Sequence, residues 1–193
     1  MRNIYKYYEN TKNAKPNKNI RKFMELKHEN GYAIELGCGA GRDTKFLLEN
    51  KWNVLAIDKE DVSKIIKEKL NVEELNRLKF QKQELENLQL EKNNLIVANY
   101  SLPFCNKERF KEMWYKIKNS IVSRGHFVGN FFGINDEWAK TKEHMTFLTK
   151  EDCLKLFDEF NIISFKEIEK DGLTGLGKIK HWHIFDVIAE KKE

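Results

Sequence analysis

The sequence predicts an α/β protein with a doubly wound, seven-stranded, mostly parallel sheet and helices on both faces. Short apolar segments alternate along the chain with segments whose apolar residues recur every three or four positions. A glycine-rich turn follows the first apolar segment, as in nucleotide-binding sheets. The chain has 193 residues, 40% of them hydrophobic, which suits one packed domain. We therefore expect residues 1–193 to form a single domain, with residues 1–30 as its N-terminal segment.

Seven apolar segments are predicted as strands because each is short and is bounded by polar or turn-forming residues. The fifth strand is expected to begin after a turn at Arg124 and Gly125, and glycines between residues 171 and 177 predict a flexible hairpin before the last strand. The predicted strands span residues 32–36, 53–58, 78–80, 94–100, 125–132, 162–167 and 181–189.

The helices are predicted from apolar residues that share one helical face and from capping residues at the helix starts. Asp61 is expected to cap the helix after the second strand, and Thr149 begins the last helix with a pattern similar to a capping box. The predicted helices lie near residues 20–27, 45–49, 61–70, 110–121 and 149–160.

Three closely spaced glycines, Gly37, Gly39 and Gly41, directly follow the first strand. Glycine tolerates positive φ and lets the backbone approach a ligand, because it carries no Cβ. Asp58 ends the second strand, where a carboxylate can accept both hydroxyls of a ribose. The sequence therefore predicts a nucleoside-containing cofactor between the first two strands.

The glycine spacing differs from that of a dinucleotide site, since Arg42 stands where the third glycine of G-x-G-x-x-G would be. The stretch E-L-G-C-G-A-G-R-D, residues 35–43, resembles motif I of the class I S-adenosylmethionine-dependent methyltransferases. The segments 94–100 and 125–132 are similar to the fourth and fifth strands of that family. The short chain and its closing segment 180–185 are most similar to the tellurite-resistance-type methyltransferases. The resemblance implies an antiparallel last strand beside the fifth and S-adenosylmethionine as the cofactor.

The same resemblance implies a role for individual residues at the cofactor. The glycines should pass beneath its amino-acid end, Asp58 should hold the ribose, Lys59 should line the adenine, and Glu84 with Leu85 should contact the adenine. A solvated loop is an equal alternative for Glu84. The implied cofactor-binding residues are Glu35, Gly37, Gly39, Gly41, Arg42, Asp58, Lys59, Glu84, Leu85, Asn99 and Tyr100.

The acceptor side is expected among aromatic residues at strand ends and in the N-terminal segment, which similar enzymes fold over the cofactor as a lid. Tyr100, His181 and His183 are the catalytic candidates, and ordinary packing is the alternative for each of them. The two histidines share one strand face, with Trp182 opposite. Two histidines without a third ligand do not predict a metal site. The expected substrate-binding residues are Tyr5, Tyr8, Phe104, Phe132 and Trp138.

Composition narrows the range of functions. The net charge of +5 arises from basic residues interleaved with acidic ones, which argues against a nucleic-acid partner. The apolar runs are too short for a membrane span, and residues 1–8 lack an apolar signal core. Three cysteines without metal spacing suit reduced thiols, so we expect a cytoplasmic protein.

The expected function is methyl transfer to a small-molecule or metalloid acceptor. The alternatives are an RNA- or protein-directed methyltransferase and a non-catalytic cofactor-binding protein. Nothing in the sequence predicts the oligomeric state.

Overall fold

A computed structural model describes residues 4–26 and 29–193, except for the side chain of Tyr5. Its architecture is one seven-stranded sheet with helices on both faces. None of the helices in this described part is long and apolar enough to cross a membrane. The elements are α1 Ile4–Thr11, α2 Lys18–Met24, β1 Tyr32–Leu36, α3 Arg42–Glu49, β2 Asn53–Asp58, α4 Ser63–Lys67, α5 Val72–Asn76, β3 Leu78–Lys82, β4 Asn93–Ala98, α6 Phe110–Ser120, β5 Ile121–Phe132, α7 Lys150–Lys155, β6 Phe160–Leu173 and β7 Ile179–Lys191.

The strand order is β3-β2-β1-β4-β5-β7-β6. Strands β1 to β5 are parallel, and β7 is antiparallel to both β5 and β6. The predicted fold class is therefore confirmed, including the antiparallel last strand beside the fifth. The order reverses at β1, because β2 and β3 lie on one side of it, whereas β4 and the later strands lie on the other side. In doubly wound sheets, ligands bind at this reversal, outside the carboxyl ends of the strands.

Both faces of the central strands are buried, because alternate residues of each of these strands pack against different helices. In β1, Ile34 belongs to the core cluster that also contains Trp114 of α6, whereas Ala33 belongs to the cluster with Phe23 of α2. The ring of Trp114 lies 5.2 Å, centroid to centroid, from that of Phe127. These two layers hold the sheet rigid beneath its carboxyl edge.

The helix predicted over residues 61–70 is wrong in extent. The carboxylate of Asp61 accepts hydrogen bonds from the backbone N–H and hydroxyl of Ser63, so Asp61 forms a local turn before α4 instead of capping a long helix. The chain then starts a second short helix, α5, at a capping box in which Asn71 and Glu74 bond each other's backbone N–H.

The predicted turn at Arg124 and Gly125 is an irregularity within β5, which begins at Ile121 directly after α6. Arg124 has φ +60°, and the pairing with β4 shifts by several residues at this point. The hairpin between β6 and β7 is also tighter than predicted, because the strands extend to Leu173 and from Ile179. Three smaller differences are that α3 begins at Arg42, β4 ends at Ala98 and α7 ends at Lys155. Lys27, expected in the N-terminal helix, lies outside the described residues.

Candidate active site

The glycine loop between β1 and α3 requires residues without a Cβ. Gly37, Gly39 and Gly41 have φ values of +71°, +53° and +75°, which L-residues with side chains rarely adopt. A Cβ on Gly37 would lie 2.5 Å from Cβ of Ser101, and one on Gly41 would lie 2.6 Å from Cγ1 of Ile66. A Cβ on Gly39 meets only ring atoms of Tyr8, at 3.8 Å. The loop thus packs closely at Gly37 and Gly41, whereas Gly39 faces the ring of Tyr8.

Asp58 lies beside this loop at the end of β2 and is 7% exposed. Its Oδ2 accepts the N–H of Gly39 at 2.8 Å, and its Oδ1 accepts the N–H of Glu60 at 3.0 Å. The hydroxyl of Tyr8 also donates to Oδ1, at 3.3 Å. Burial and the charge of Asp58 raise the pKa of Tyr8, so the phenol keeps the proton that it donates. The carboxylate is therefore already arranged to accept a hydroxyl at the carboxyl edge of the sheet.

Helix α1 brings Tyr8 to this position and is anchored at the β6–β7 hairpin. Asn10 donates its side-chain N–H to the carbonyl of Gly175 at 3.2 Å, and the ring of Tyr7 fills the space where Gly175 lacks a Cβ. Residues 4–11 therefore cover the glycine loop. Tyr8, predicted on the acceptor side, lies instead at Asp58, because α1 packs over the glycine loop. The side chain of Tyr5 lies outside the described residues.

A buried acidic cluster occupies the start of α3. Asp43, 2% exposed, accepts hydrogen bonds from the side-chain N–H groups of Arg42 and Asn99, at 3.0 and 2.9 Å, and from the N–H of Asn17 at 2.8 Å. Glu35, 5% exposed, accepts the hydroxyl of Thr44. Burial is the main cause that raises the pKa of Glu35 well above its ordinary value, and the charge of Asp43 adds to it.

This pKa predicts how stability depends on pH. The folded protein holds the Glu35 proton more tightly than the unfolded chain, whose glutamates titrate near 4.5. As the pH rises above that value, the free energy of unfolding should fall, by up to about 1.4 kcal/mol per pH unit. Glu35→Gln removes this titration, so the stability of the variant relative to the wild type should increase with pH. Urea unfolding across this pH range measures the difference.

The matched control is Glu49→Gln, which neutralises an exposed carboxylate at the end of α3. Its stability should follow that of the wild type across the pH range. If the profiles of the Glu35→Gln variant and the wild type also ran parallel, the carboxyl of Glu35 would not carry the raised pKa.

Two buried polar atoms at the end of β4 have no hydrogen-bond partner among the described residues. They are Oδ1 of Asn99 and Oγ of Ser101. Buried polar atoms are seldom left without a partner, and these two flank the glycine loop on the side opposite Asp58. Between them, Tyr100 adopts φ +55°, and its N–H donates to Oδ1 of Asn130 at 2.7 Å. The open acceptors, the glycine loop and the carboxylate together fit a nucleoside that carries an amino-acid group.

Aromatic residues that end or follow β4 and β5 meet Trp182, near the start of the antiparallel strand β7, in one cluster, which we call the aromatic wall. Ring centroids within it lie 5.6 to 6.3 Å apart. Tyr100 and Phe104 are each 37% exposed, whereas Phe132 is buried. Burial raises the pKa of Tyr100 to about 12, with a contribution from Asp186, so its phenol is a hydrogen-bond donor near neutral pH and a poor base. The members of the wall are Tyr100, Phe104, Phe132, Trp138 and Trp182.

The structure thus brings together the expected acceptor residues Phe104, Phe132 and Trp138. It does not bring His181 and His183 to them. The His183 ring packs on Gly133, its Nδ1 accepts the N–H of Asn135 at 3.2 Å, and its Nε2 lies 3.1 Å from a carboxylate oxygen of Glu167. Both ring nitrogens of His183 are therefore engaged in structural contacts.

The His181 ring lies between carboxylates of β6, with Nδ1 2.8 Å from Asp171 and Nε2 3.3 Å from Glu169. These carboxylates raise the pKa of His181, and the ring faces away from Trp182 and the wall. Carboxylates of β6 thus hold both histidine rings, and their catalytic role stays a prediction.

The residues expected at the adenine lie at the other side of Asp58. Lys59 and Glu84 are exposed, and Glu84 precedes a short 3-10 turn, Leu85–Asn87. Leu85 packs on the main core. Their roles at the cofactor stay predictions.

Sequence reasoning missed Lys180 and Asp136, which form a buried ion pair behind the wall, and it gave Trp182 no role. It also overlooked Asp43, which joins α3 to β4 through Asn99. One signal was present, because Lys180 and Trp182 are two residues apart on a strand and therefore share a face. The catalytic candidates His181 and His183 instead lie on the opposite face of that strand. The contact with Asp136, 44 residues away, required the tertiary fold.

The sequence profile of the TehB family, described as tellurite resistance protein TehB, matches residues 3–168. No curated protein matches the chain significantly. The crystal structure of TehB from Haemophilus influenzae superimposes with a TM-score of 0.70 at 16% identity, covering 90% of this chain and 61% of that one. The chain thus spans about three fifths of the length of that protein.

Two further solved structures have the same fold. The N-methyltransferase NodS from Bradyrhizobium japonicum, in complex with S-adenosyl-L-homocysteine, has a TM-score of 0.67 at 14% identity and covers 99% of this chain and 100% of its own. The 1,6-didemethyltoxoflavin-N1-methyltransferase from Burkholderia thailandensis has a TM-score of 0.62 at 16% identity, with coverage of 84% and 71%.

The chain has the fold of the S-adenosylmethionine-dependent methyltransferases among these solved structures. Since the family profile matches most of its length, the chain belongs to the TehB family. Both of these neighbouring structures contain S-adenosylhomocysteine, the product that S-adenosylmethionine leaves after methyl transfer.

Proposed function

We propose that this chain transfers a methyl group from S-adenosylmethionine to a small-molecule acceptor bound at the aromatic wall. The observation that carries the proposal is the position of Tyr100. It precedes Ser101, which packs against Gly37 of the glycine loop, and its ring contacts Phe132 and Trp182. Residues that would hold the cofactor and residues that would hold an acceptor therefore meet at one point of the sheet edge.

In this proposal, the cofactor is held by groups that the fold has already positioned. Asp58 would accept ribose hydroxyls, and Tyr8 would have to leave Oδ1 for this to happen. Gly37, Gly39 and Gly41 would let the cofactor approach the backbone. Oδ1 of Asn99 and Oγ of Ser101 would accept hydrogen bonds from the amino-acid end of the cofactor.

The bound cofactor supplies a methyl group already activated by its sulfonium, so the protein needs chiefly to orient the acceptor and exclude water. Helix α1 and the β6–β7 hairpin cover the groove from one side. The aromatic wall closes the other side and would position the attacking atom of the acceptor. Tyr100 would donate its phenolic hydrogen to the acceptor and would not remove a proton, because its pKa is raised.

A screen of acceptors tests the proposal. The purified chain, S-adenosylmethionine and one acceptor class at a time are incubated, and release of S-adenosylhomocysteine is measured. We expect turnover with at least one arm among thiols, hydroxylated heteroaromatics, amines and sodium selenite, and none with total RNA or with unmodified protein. Turnover confined to RNA or protein would overturn the small-molecule assignment. Failure to bind S-adenosylhomocysteine in a calorimeter would overturn the assigned cofactor residues.

A further inference from the structure

Lys180 lies inside the aromatic wall. Its Nζ is 3.8 Å from the ring centroid of Trp138, 4.0 Å from that of Trp182 and 5.2 Å from that of Phe132. The side chain is only 2% exposed. Three rings around an ammonium form the arrangement by which proteins recognise cationic ligands. In this chain, the protein's own lysine fills the aromatic cage.

The charge of Lys180 is also neutralised from within the protein. Its ammonium pairs with the carboxylate of Asp136, which is fully buried. That carboxylate further accepts the backbone N–H of Trp138 at 3.0 Å and of His183 at 3.3 Å. Burial lowers the pKa of Lys180, whereas Asp136 and the nearby Glu137 act in the opposite direction. The paired lysine offers little attraction to an anion at the face of the wall, because Asp136 cancels most of its field.

The part of the wall that faces outward is apolar. Tyr100 and Phe104 expose 37% of their surface each, and they rest on the inner rings. Tyr100 lies 5.9 Å from Trp182, and Phe104 lies 6.0 Å from Trp138, centroid to centroid. Aromatic faces bind flat apolar molecules by stacking and by removing apolar surface from water. An inorganic oxyanion would instead require unpaired donors or cations.

We propose that the acceptor is an uncharged aromatic molecule that stacks on Tyr100 and Phe104. Lys180 fills the aromatic cage and thereby prevents an ammonium group of a substrate from binding there. This inference rests on the proposed function and names its substrate class. It makes Lys180 a specificity-determining residue, acting through Trp138 and Trp182.

A matched pair of probes tests the substrate class. The probes are 2-naphthol and (2-naphthyl)methylammonium, which share a ring system and differ in charge at neutral pH. Their binding to the protein saturated with S-adenosylhomocysteine is measured by saturation-transfer NMR titration. We expect 2-naphthol to bind at least about tenfold more tightly than the ammonium compound, and sodium selenite not to displace it. Equal or reversed affinities, displacement by selenite, or failure of 2-naphthol to bind would each overturn the inference.

Substitution of Lys180 tests the specificity role. Lys180→Ala empties the cage and leaves the carboxylate of Asp136 available, so the affinity for the ammonium probe should rise about tenfold. The affinity for 2-naphthol should change by less than about threefold. Lys178→Ala, at an exposed position two residues earlier, is the control and should change neither affinity. A lysine that only stabilised the fold would not reverse the preference between two probes.

The Lys180→Ala change leaves the buried carboxylate of Asp136 without its partner. A second variant serves if that protein does not fold. Lys180→Gln keeps a donor for Asp136 while removing the cation, and it should also favour the ammonium probe. An unchanged probe preference in a folded Lys180 variant would overturn the inference. Calorimetry with S-adenosylhomocysteine alone separates the two proposals, because loss of cofactor binding would refute the proposed function, whereas intact binding with the wrong probe preference refutes only the substrate class.

Discussion

Replacing Asp58 with asparagine will weaken the binding of S-adenosylhomocysteine by about 10- to 100-fold. The physical reason is that a buried carboxylate accepts hydrogen bonds at both oxygens, whereas an asparagine side chain presents one acceptor and one donor. In one orientation of the new amide, its donor would face the N–H of Gly39, which now lies 2.8 Å from Oδ2 of Asp58. In the other orientation, the donor would replace the acceptor that the ribose needs. Isothermal titration calorimetry of the wild type and the variant measures the change.

The matched control is Asp61→Asn, because Asp61 is an exposed carboxylate three residues further along and bonds only its own turn at Ser63. It should leave the dissociation constant unchanged. Tyr8→Phe should act in the opposite direction to Asp58→Asn and strengthen binding by about three- to tenfold, since it removes the phenol that competes for Oδ1. Unchanged affinity in Asp58→Asn would refute the ribose assignment, and weaker binding in Tyr8→Phe would show that the phenol contacts the cofactor.

Gly37→Ala will destabilise the protein by about 2 to 5 kcal/mol. About 1 to 2 kcal/mol comes from placing an L-residue at φ +71°. A further 1 to 3 kcal/mol, roughly, comes from the new Cβ, which would lie 2.5 Å from Cβ of Ser101. That atom is joined directly to the backbone, so it cannot move away as the end of a long side chain would. Urea denaturation, followed by circular dichroism, measures the loss.

Gly177→Ala separates the two causes. Gly177 has φ +79°, and a Cβ built on it meets nothing within 4 Å. Only the backbone strain should appear there, with a cost of about 1 to 2 kcal/mol. Equal destabilisation by both substitutions would mean that the loop can move away from Ser101, and the close approach of β1 and β4 would then not explain the glycine.

The two ends of the groove are connected through the β6–β7 hairpin. Its tip holds α1 through Asn10 and Gly175, and its second strand carries Lys180 and Trp182 into the wall. Helix α1 and the aromatic wall therefore both contact the same hairpin. Strand β7 runs directly from the hairpin into the wall, so no further residue is needed to connect them.

The sequence by itself determined the fold class and the place of the glycine loop and Asp58 after the first two strands. Gly37, Gly39, Gly41 and Asp58 were identifiable because their roles depend on local backbone geometry and on their position at strand ends. Local sequence patterns predicted the wrong bounds for two elements, the helix after the second strand and the start of the fifth strand. Asp61 bonded Ser63 and shortened a helix, and Arg124 was absorbed into an irregular strand instead of a turn.

Only the tertiary structure decided which aromatic residues meet in the wall. Whether His181 or Trp182 faces the groove depends on which face of β7 is turned towards it, and alternation along a strand leaves that choice open. The pairing of β7 with β5 turned Trp182 and Lys180 inward, and it placed Lys180 against Asp136 from a loop far away in the chain. Contacts between distant segments depend on how the whole sheet is assembled, so the neutralised cation behind the wall could not be read from residue spacing.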